Sequence, residues 1–295
     1  MQELVQQVIG GLALGAIYAS LALALVLIYR ATGIVNFAQG EMATFSTFVC
    51  WALVRHHGVP YWGAFFATLA ISFVGGIGLQ RVVIRPVERR PALTVVTVTI
   101  GLFLLINATV RWIWGTQPNT LPSPFPTRAV HVGGVAMSIL DLGVIAVTLG
   151  TVLALWAFFQ FTKVGLAMRA GATAPEPARL VGIRTSWMLA LAWGLAAALG
   201  ALSGLLTAPE QGSFDSNLMQ AILIYAFAAA VLGGLDSAAG AVVGGLVIGV
   251  GLNLLTAYVH FVTPEIRLPV ALAALFAVLV LRPSGLFGST AVRKV

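Results

Sequence analysis

An all-α bundle of membrane-spanning helices is the fold this sequence predicts, and three observations carry that reading. Of 295 residues, 59% are hydrophobic and 8% are charged. The mean hydropathy is +0.99. Apolar runs of bilayer-crossing length recur along the chain. A soluble globule carries charge on about a quarter of its residues, so this composition excludes that class.

Crossing ~30 Å of hydrocarbon takes about 20 apolar residues. On that scale nine segments stand out, at 4–28, 33–54, 61–80, 92–114, 138–160, 187–208, 218–235, 238–257 and 266–281. The first opens "MQELVQQVIGG" with no Lys or Arg before Arg30, so it lacks the basic start of a cleaved signal peptide and is expected to stay. The seventh and eighth flank "VLGGLDSAAGAVVGG", which is either a tight turn or the bend of a re-entrant pair, and the expected count is therefore eight to ten. No second domain is expected: residues 1–295 form one permeating unit, interrupted by two long loops.

Charge sets the expected orientation. With nine crossings and the C-terminus inside, the inner loops hold Arg30, Arg81, Arg85, Arg89, Arg90, Lys163, Arg169, Arg179, Arg184, Arg282, Arg293 and Lys294, leaving Arg55, Arg111, Arg128 and Arg267 outside. That asymmetry fits the positive-inside rule and predicts N-out, C-in. It also accounts for the net charge of +7 without nucleic acid.

The outer loop from Gly115, "GTQPNTLPSPFPTRAVHVGGVAM", is Pro-rich and reads as an extended connector or a lid over the outer mouth. The inner loop 162–186 differs. Its "APEPARLVGI" places Pro175 and Pro177 in the first turn of a short helix that Gly182 can stop, a basic surface helix open to contact.

Catalytic chemistry is missing from the pattern. There is no G-x-x-x-x-G-K-[ST], and neither Lys163 nor Lys294 follows Gly, so the chain is expected to hydrolyse no nucleotide and to be no enzyme. His56, His57, His131 and His260 lack metal-ligand spacing, Cys50 stands alone, and Ser203 lacks the G-x-S-x-G frame, so no metal or cofactor is expected. Gly pairs four apart (Gly11 and Gly15, Gly200 and Gly204, Gly240 and Gly244, Gly245 and Gly249) predict close helix seams.

One stretch breaks the apolar pattern. "IVNFAQGEM" carries Asn36, Gln39 and Glu41, although a charge at bilayer depth costs roughly 2.5–3.5 kcal/mol even on lenient insertion scales. Taken as helix from near Thr32, it places Glu41 about 13 Å up, near mid-depth. Asn36, Gln39, Gly40, Thr44 and Thr47 then share one face with Glu41 at its flank. Such a stripe either lines a translocation path or gate (Asn36, Gln39, Glu41, Thr44) or anchors helices by hydrogen bonds.

The run "GLALGAIYASLALALVLIYRATGIVNFAQGEMATF", the loop "TKVGLAMRAGATAPEPARLVGIR", the stretch "VLGGLDSAAGAVVGGLVIG" and the tail "LRPSGLFG" together resemble the permease subunits of branched-chain amino acid ABC importers. That resemblance spans nearly the whole chain. It implies a multi-pass bacterial inner-membrane permease for a small hydrophobic amino acid, working with a sister permease, two cytoplasmic ATPase subunits and an extracytoplasmic substrate-binding protein. It also implies a coupling helix docking on the ATPase, with Arg169, Glu176, Arg179 and Gly182 as the contact residues. Permeases similar to these carry urea or short amides, which is the alternative substrate class. An ion-coupled carrier or channel acting alone is the alternative mechanism; against it, Glu41 is the only acid expected deep in the bilayer.

Overall fold

The computed structural model describes residues 2–88, 90–126, 128–132, 135–259, 263, 266–281 and 285–288. Arg89, His260, Arg282, Arg293 and Lys294, named above for their charge or ring, lie outside the described residues. Each of the nine expected segments contains a helix: α1 Gln2–Thr32, α2 Gln39–Arg55, α3 Tyr61–Leu79, α4 Ala92–Trp114, α5 Ile139–Phe161, α8 Thr185–Gln211, α9 Gln220–Gly233, α10 Ala238–Tyr258 and α11 Arg267–Leu281. Two short helices, α6 Lys163–Thr173 and α7 Pro175–Leu180, occupy the long basic loop. α3 continues into a π-helical turn, Gln80–Ile84. Among the described residues, six helices are long and apolar enough to cross a membrane, whereas α2, α9 and α11 have 17, 14 and 15 residues.

The centre of the bundle is α1 against α8 and α10. α1 and α8 run antiparallel and exchange hydroxyl bonds, Ser20 Oγ to the Leu199 carbonyl at 3.3 Å and Ser203 Oγ to the Ile17 carbonyl at 3.2 Å. This pairing sets Arg30 at the end of α1 beside the start of α8, where Arg81 also meets Trp187. The basic residues of three helices therefore share one end of the bundle.

All four predicted glycine pairs are used. Gly11 and Gly15 on α1 face Gly245 and Gly249 on α10, and a Cβ at Gly245 would stand 2.5 Å from Ala19 Cα. Gly240 and Gly244 look the other way, toward Gly233 and Ala229 of α9. α10 is thus pressed between two helices on two small-residue faces, which apolar side chains in lipid cannot achieve by hydrophobicity alone. Residues 234–237 form a tight turn between α9 and α10, giving an antiparallel hairpin. The tail closes this end: Leu286 N donates to the Leu232 carbonyl at 2.8 Å and Phe287 N to Gly233 at 3.1 Å, satisfying the last carbonyls of α9.

The loop from Gly115 corrects the extended connector expected from its prolines. It contains a hairpin, β1 Ala129–Val132 with β2 Val135–Ser138, whose β-branched runs flank Gly-Gly in sequence. Asn119 and Phe214 exchange backbone bonds at 2.8 Å, Leu121 is buried, and the Phe125 ring fills the space left by Gly143. The loop is seated on the bundle.

The α1–α10 seam generates a prediction. Gly245→Leu forces a side chain into backbone and should destabilise by roughly 1–3 kcal/mol or more, whereas Gly150→Leu, with nothing within 4 Å of its Cβ position, should be nearly neutral. Thermal midpoints of the purified variants in detergent check this; equal midpoints would contradict the seam.

Candidate functional site

α1 ends where Gly33 takes a φ of +72°, a conformation only glycine adopts without strain, and Thr32 Oγ1 donates to the Ile28 carbonyl at 2.8 Å. Residues 33–38 are not helical. This corrects the single-helix reading of the second segment: Asn36 precedes α2 instead of sharing a helical face with Thr44 and Thr47. The chain turns on Asn36, whose Oδ1 accepts from Ala38 N at 3.1 Å and whose Nδ2 donates to Gln39 Oε1 at 3.1 Å. An Asn side chain mimicking a backbone turn is a familiar way to start a helix.

Gln39 then ties that start to α8, its Nε2 donating to the Ala196 carbonyl at 2.8 Å. Space for the amide exists because position 200 is glycine: a Cβ there would lie 2.6 Å from Gln39 Nε2. One turn further, Gly204 admits Thr47 and the Ala43 carbonyl in the same way. The α8 glycine pair is a socket for the first turns of α2.

Glu41 lies in the first turn of α2, where the partial positive charge of the helix start favours a carboxylate. Its Oε2 accepts from Asn107 Nδ2 of α4 at 3.0 Å and its Oε1 from Gln220 Nε2 of α9 at 3.4 Å. Asn107 also donates to the Ser216 carbonyl at 3.0 Å. Gln220 donates to Asn217 Oδ1 at 3.0 Å, which accepts in turn from Arg111 Nη2 at 2.8 Å. A hydrogen-bonded line therefore runs from a carboxylate 1% exposed to an exposed guanidinium. Asn36, Gln39 and Thr44 are equally enclosed, at 1%, 0% and 0%. Thr44 stays apart from the network, its Oγ1 donating to the Gly40 carbonyl at 3.2 Å. The arrangement is a polar knot joining α2, α4, α8 and α9, with its residues turned into the chain's own core.

Asn107, Gln220, Asn217 and Arg111 were not singled out from the sequence. Asn107 was the findable one, the lone amide in "GLFLLINATV".

The basic loop is built by local rules. Thr162 caps α6, its Oγ1 accepting from Gly165 N at 3.0 Å. α7 starts with Pro175 and Pro177 and ends in a Schellman arrangement: Gly182 has φ +85°, Ile183 N donates to the Ala178 carbonyl and Gly182 N to Arg179, both at 3.0 Å. Glu176 and Arg179 are exposed, and Leu180 and Val181 are 90% and 77% exposed, so the tip presents two apolar side chains. Arg179 Nε donates to Thr185 Oγ1 at 2.9 Å, fastening α7 to the first residue of α8. Arg169 does not join this tip; its Nη1 reaches back to Gln160 Oε1 of α5 at 3.2 Å. Among the described residues, no three His, Cys, Asp or Glu side chains group as a metal site.

Comparison with known proteins follows the same outline. A family model described as the branched-chain amino acid transport system / permease component matches residues 7–281. The high-affinity branched-chain amino acid transport system permease protein LivH of Escherichia coli (strain K12) is 31% identical over 302 residues, covering 98% of this chain and 97% of that protein. BraD of Pseudomonas aeruginosa PAO1, with the same description, is 29% identical over 302 residues and equal coverage. A probable branched-chain amino acid transport permease protein LivH from Methanocaldococcus jannaschii is 31% identical over 252 residues, 81% of this chain and 76% of that one. In fold, the chain is similar to PsaBC from Streptococcus pneumoniae, solved in complex with Fab, with a TM-score of 0.51 at 12% identity over 93% of this chain and 91% of that one. With the family model matched from residue 7 to residue 281, this multi-pass membrane protein belongs to the permease component family of branched-chain amino acid transport systems.

Proposed function

We propose that this chain is the permease subunit of an ABC importer that carries branched-chain, hydrophobic amino acids across the bacterial inner membrane, with ATP hydrolysed on partner subunits. The supporting observation is likeness to LivH at 31% identity over 97% of that permease's length. In this reading the chain lies N-out and C-in, with its basic end in the cytoplasm. Its partners are a sister permease, two ATPases, one of which takes α7, and a binding protein that delivers substrate to the opposite end.

The site residues then divide the work. Asn36, Gln39, Glu41 and Thr44 belong to the gate rather than to a substrate cradle: they hold the start of α2 against α4, α8 and α9 while the path is shut. Moving α2 away breaks the Glu41 bonds to Asn107 and Gln220. Hydrogen bonds to a charged group contribute on the order of 1.5–3 kcal/mol each, so opening is costly enough to need a driven step. A leucine or valine side chain offers nothing for a carboxylate to recognise, and Glu41 is left to act on helix position. Arg179 and the exposed tip from Glu176 to Gly182 receive the ATPase stroke; Arg169, on α6, ties that helix back to Gln160 of α5.

Reconstitution tests the whole reading. Alone in liposomes the chain should neither hydrolyse ATP nor accumulate leucine; with both ATPases, the sister permease and the binding protein it should accumulate leucine but not urea. Uphill uptake by the lone chain, driven by an ion gradient, contradicts it.

A second expectation concerns α7. Arg179→Glu should leave membrane insertion intact and weaken assembly or uncouple the ATPases, because a charge reversal at an interface costs several kcal/mol. ATPase stimulation at the wild-type level in that variant would remove Arg179 from the contact.

A further inference from the structure

The end of α3 has a feature that neither the gate nor the coupling tip uses. Arg85 N donates to the Gln80 carbonyl at 2.7 Å, five residues back, so the backbone widens into a π-helical turn over Gln80–Ile84. Such turns interrupt helices mostly where a side chain must be re-aimed, frequently at functional sites. Both ends of this one are fixed, since Gln80 and Ile84 are buried at 0% and 1%. The residue it presents outward is Arg81, whose guanidinium carbon lies 3.7 Å from the centroid of the Trp187 ring. Its distance puts the cation squarely on the aromatic face.

Trp187 occupies a particular place. It stands in the first turn of α8, two residues after Thr185, the residue that Arg179 of α7 holds at 2.9 Å. It is 44% exposed and borders a shallow open depression that Ala167, Gly182, Ile183 and Met188 also line, so one side of the ring is free of packing. Further along, α3 and α8 are closely packed: a Cβ at Gly76 would lie 2.5 Å from the Trp193 carbonyl, and one at Gly194 2.9 Å from the Phe73 carbonyl. The connection from the coupling tip to the bundle therefore runs from Arg179 to Thr185, through the backbone of the first turn of α8 to Trp187, and across to Arg81 at the end of α3.

We propose that Arg81 is a positioning residue for energy coupling, and that its contact with Trp187 sets the pose of α7 on the α3–α8 pair so that movement of an ATPase at α7 reaches the gate. This rests on the reading that α7 docks on an ATPase. A guanidinium on a partly exposed ring is weaker than a buried ion pair and can slide over the face, which suits a contact that must yield and re-form within a cycle. The glycine seam below it serves as the fixed hinge point.

The test uses the complete complex in liposomes, comparing Arg81→Gln, Trp187→Leu, the double variant, Arg81→Lys and Trp187→Phe. The readout is leucine accumulated per ATP hydrolysed at equal assembly. Arg81→Gln and Trp187→Leu should each lower that ratio by roughly two- to fivefold, the range set by a cation–π contact. The double variant should be no worse than either single. Arg81→Lys and Trp187→Phe, which keep a cation and an aromatic face, should recover most of the loss. Effects that multiply in the double variant, a wild-type ratio in Arg81→Gln, or loss of assembly in both singles would each overturn the proposal. A wild-type complex that couples while these variants match it removes the brace alone; a wild-type complex with no ATP-linked uptake removes the importer reading itself.

Discussion

A helix that begins inside a bilayer has free backbone N–H groups and no water to satisfy them. α2 begins in the chain's own core, at Gln39 with 0% exposure, where water is equally absent, and much of the surrounding structure answers that constraint. Asn36 supplies the turn and accepts from Ala38 N. A carboxylate in the first turn complements the helix start, and that carboxylate in turn needs donors, which Asn107 and Gln220 provide from two other helices. Each member of the set has a second partner, Asn107 at the Ser216 carbonyl and Gln220 at Asn217, so the bonds form a connected network across three helices.

α8 carries the consequences. Its Gly200 and Gly204 receive α2, its Gly194 receives α3, and its Ser203 bonds to α1. A helix lined with small residues can touch three neighbours at backbone distance, where dispersion and carbonyl contacts replace a hydrophobic drive that lipid does not supply. Its first turn is also the attachment point of α7. One helix thus links the basic loop at its start with the polar knot at its middle, and α2, set off from α1 by the break at Gly33, is seated on it.

Most of the fold was legible in apolar run lengths, because a bilayer imposes the same length on every crossing. Seams at all four glycine pairs were legible for a similar reason: spacing of four puts both residues on one face. The short helix at 175–180 followed from Pro at its start and Gly182 after its end, both of which act locally. What stayed hidden was the break in the second segment. Gly33 and Asn36 signal a turn in water, yet apolar periodicity through Ile34, Val35 and Phe37 reads as continuous helix until tertiary partners decide otherwise. The partners themselves were hidden as well. Asn107 lies 66 residues from Glu41 and Gln220 lies 179 away, and nothing in a single sequence pairs one lone amide with a distant acid. Prolines in the outer loop pointed to an extended strand of connector, while its β-branched runs closed a hairpin.

The proposed gate depends on Glu41 holding α2 through Asn107 and Gln220. Uptake per assembled complex in Glu41→Gln beside Glu41→Leu tests this directly. Gln keeps the shape and the accepting oxygen but loses the charge that makes those bonds strong, so assembly should stay near wild type while uptake changes, and Leu should damage both by taking the shared acceptor from the half-buried Asn107 and Gln220 amides. Unchanged uptake in Glu41→Gln, with assembly lost only in Glu41→Leu, would show that the carboxylate anchors helices and takes no part in gating.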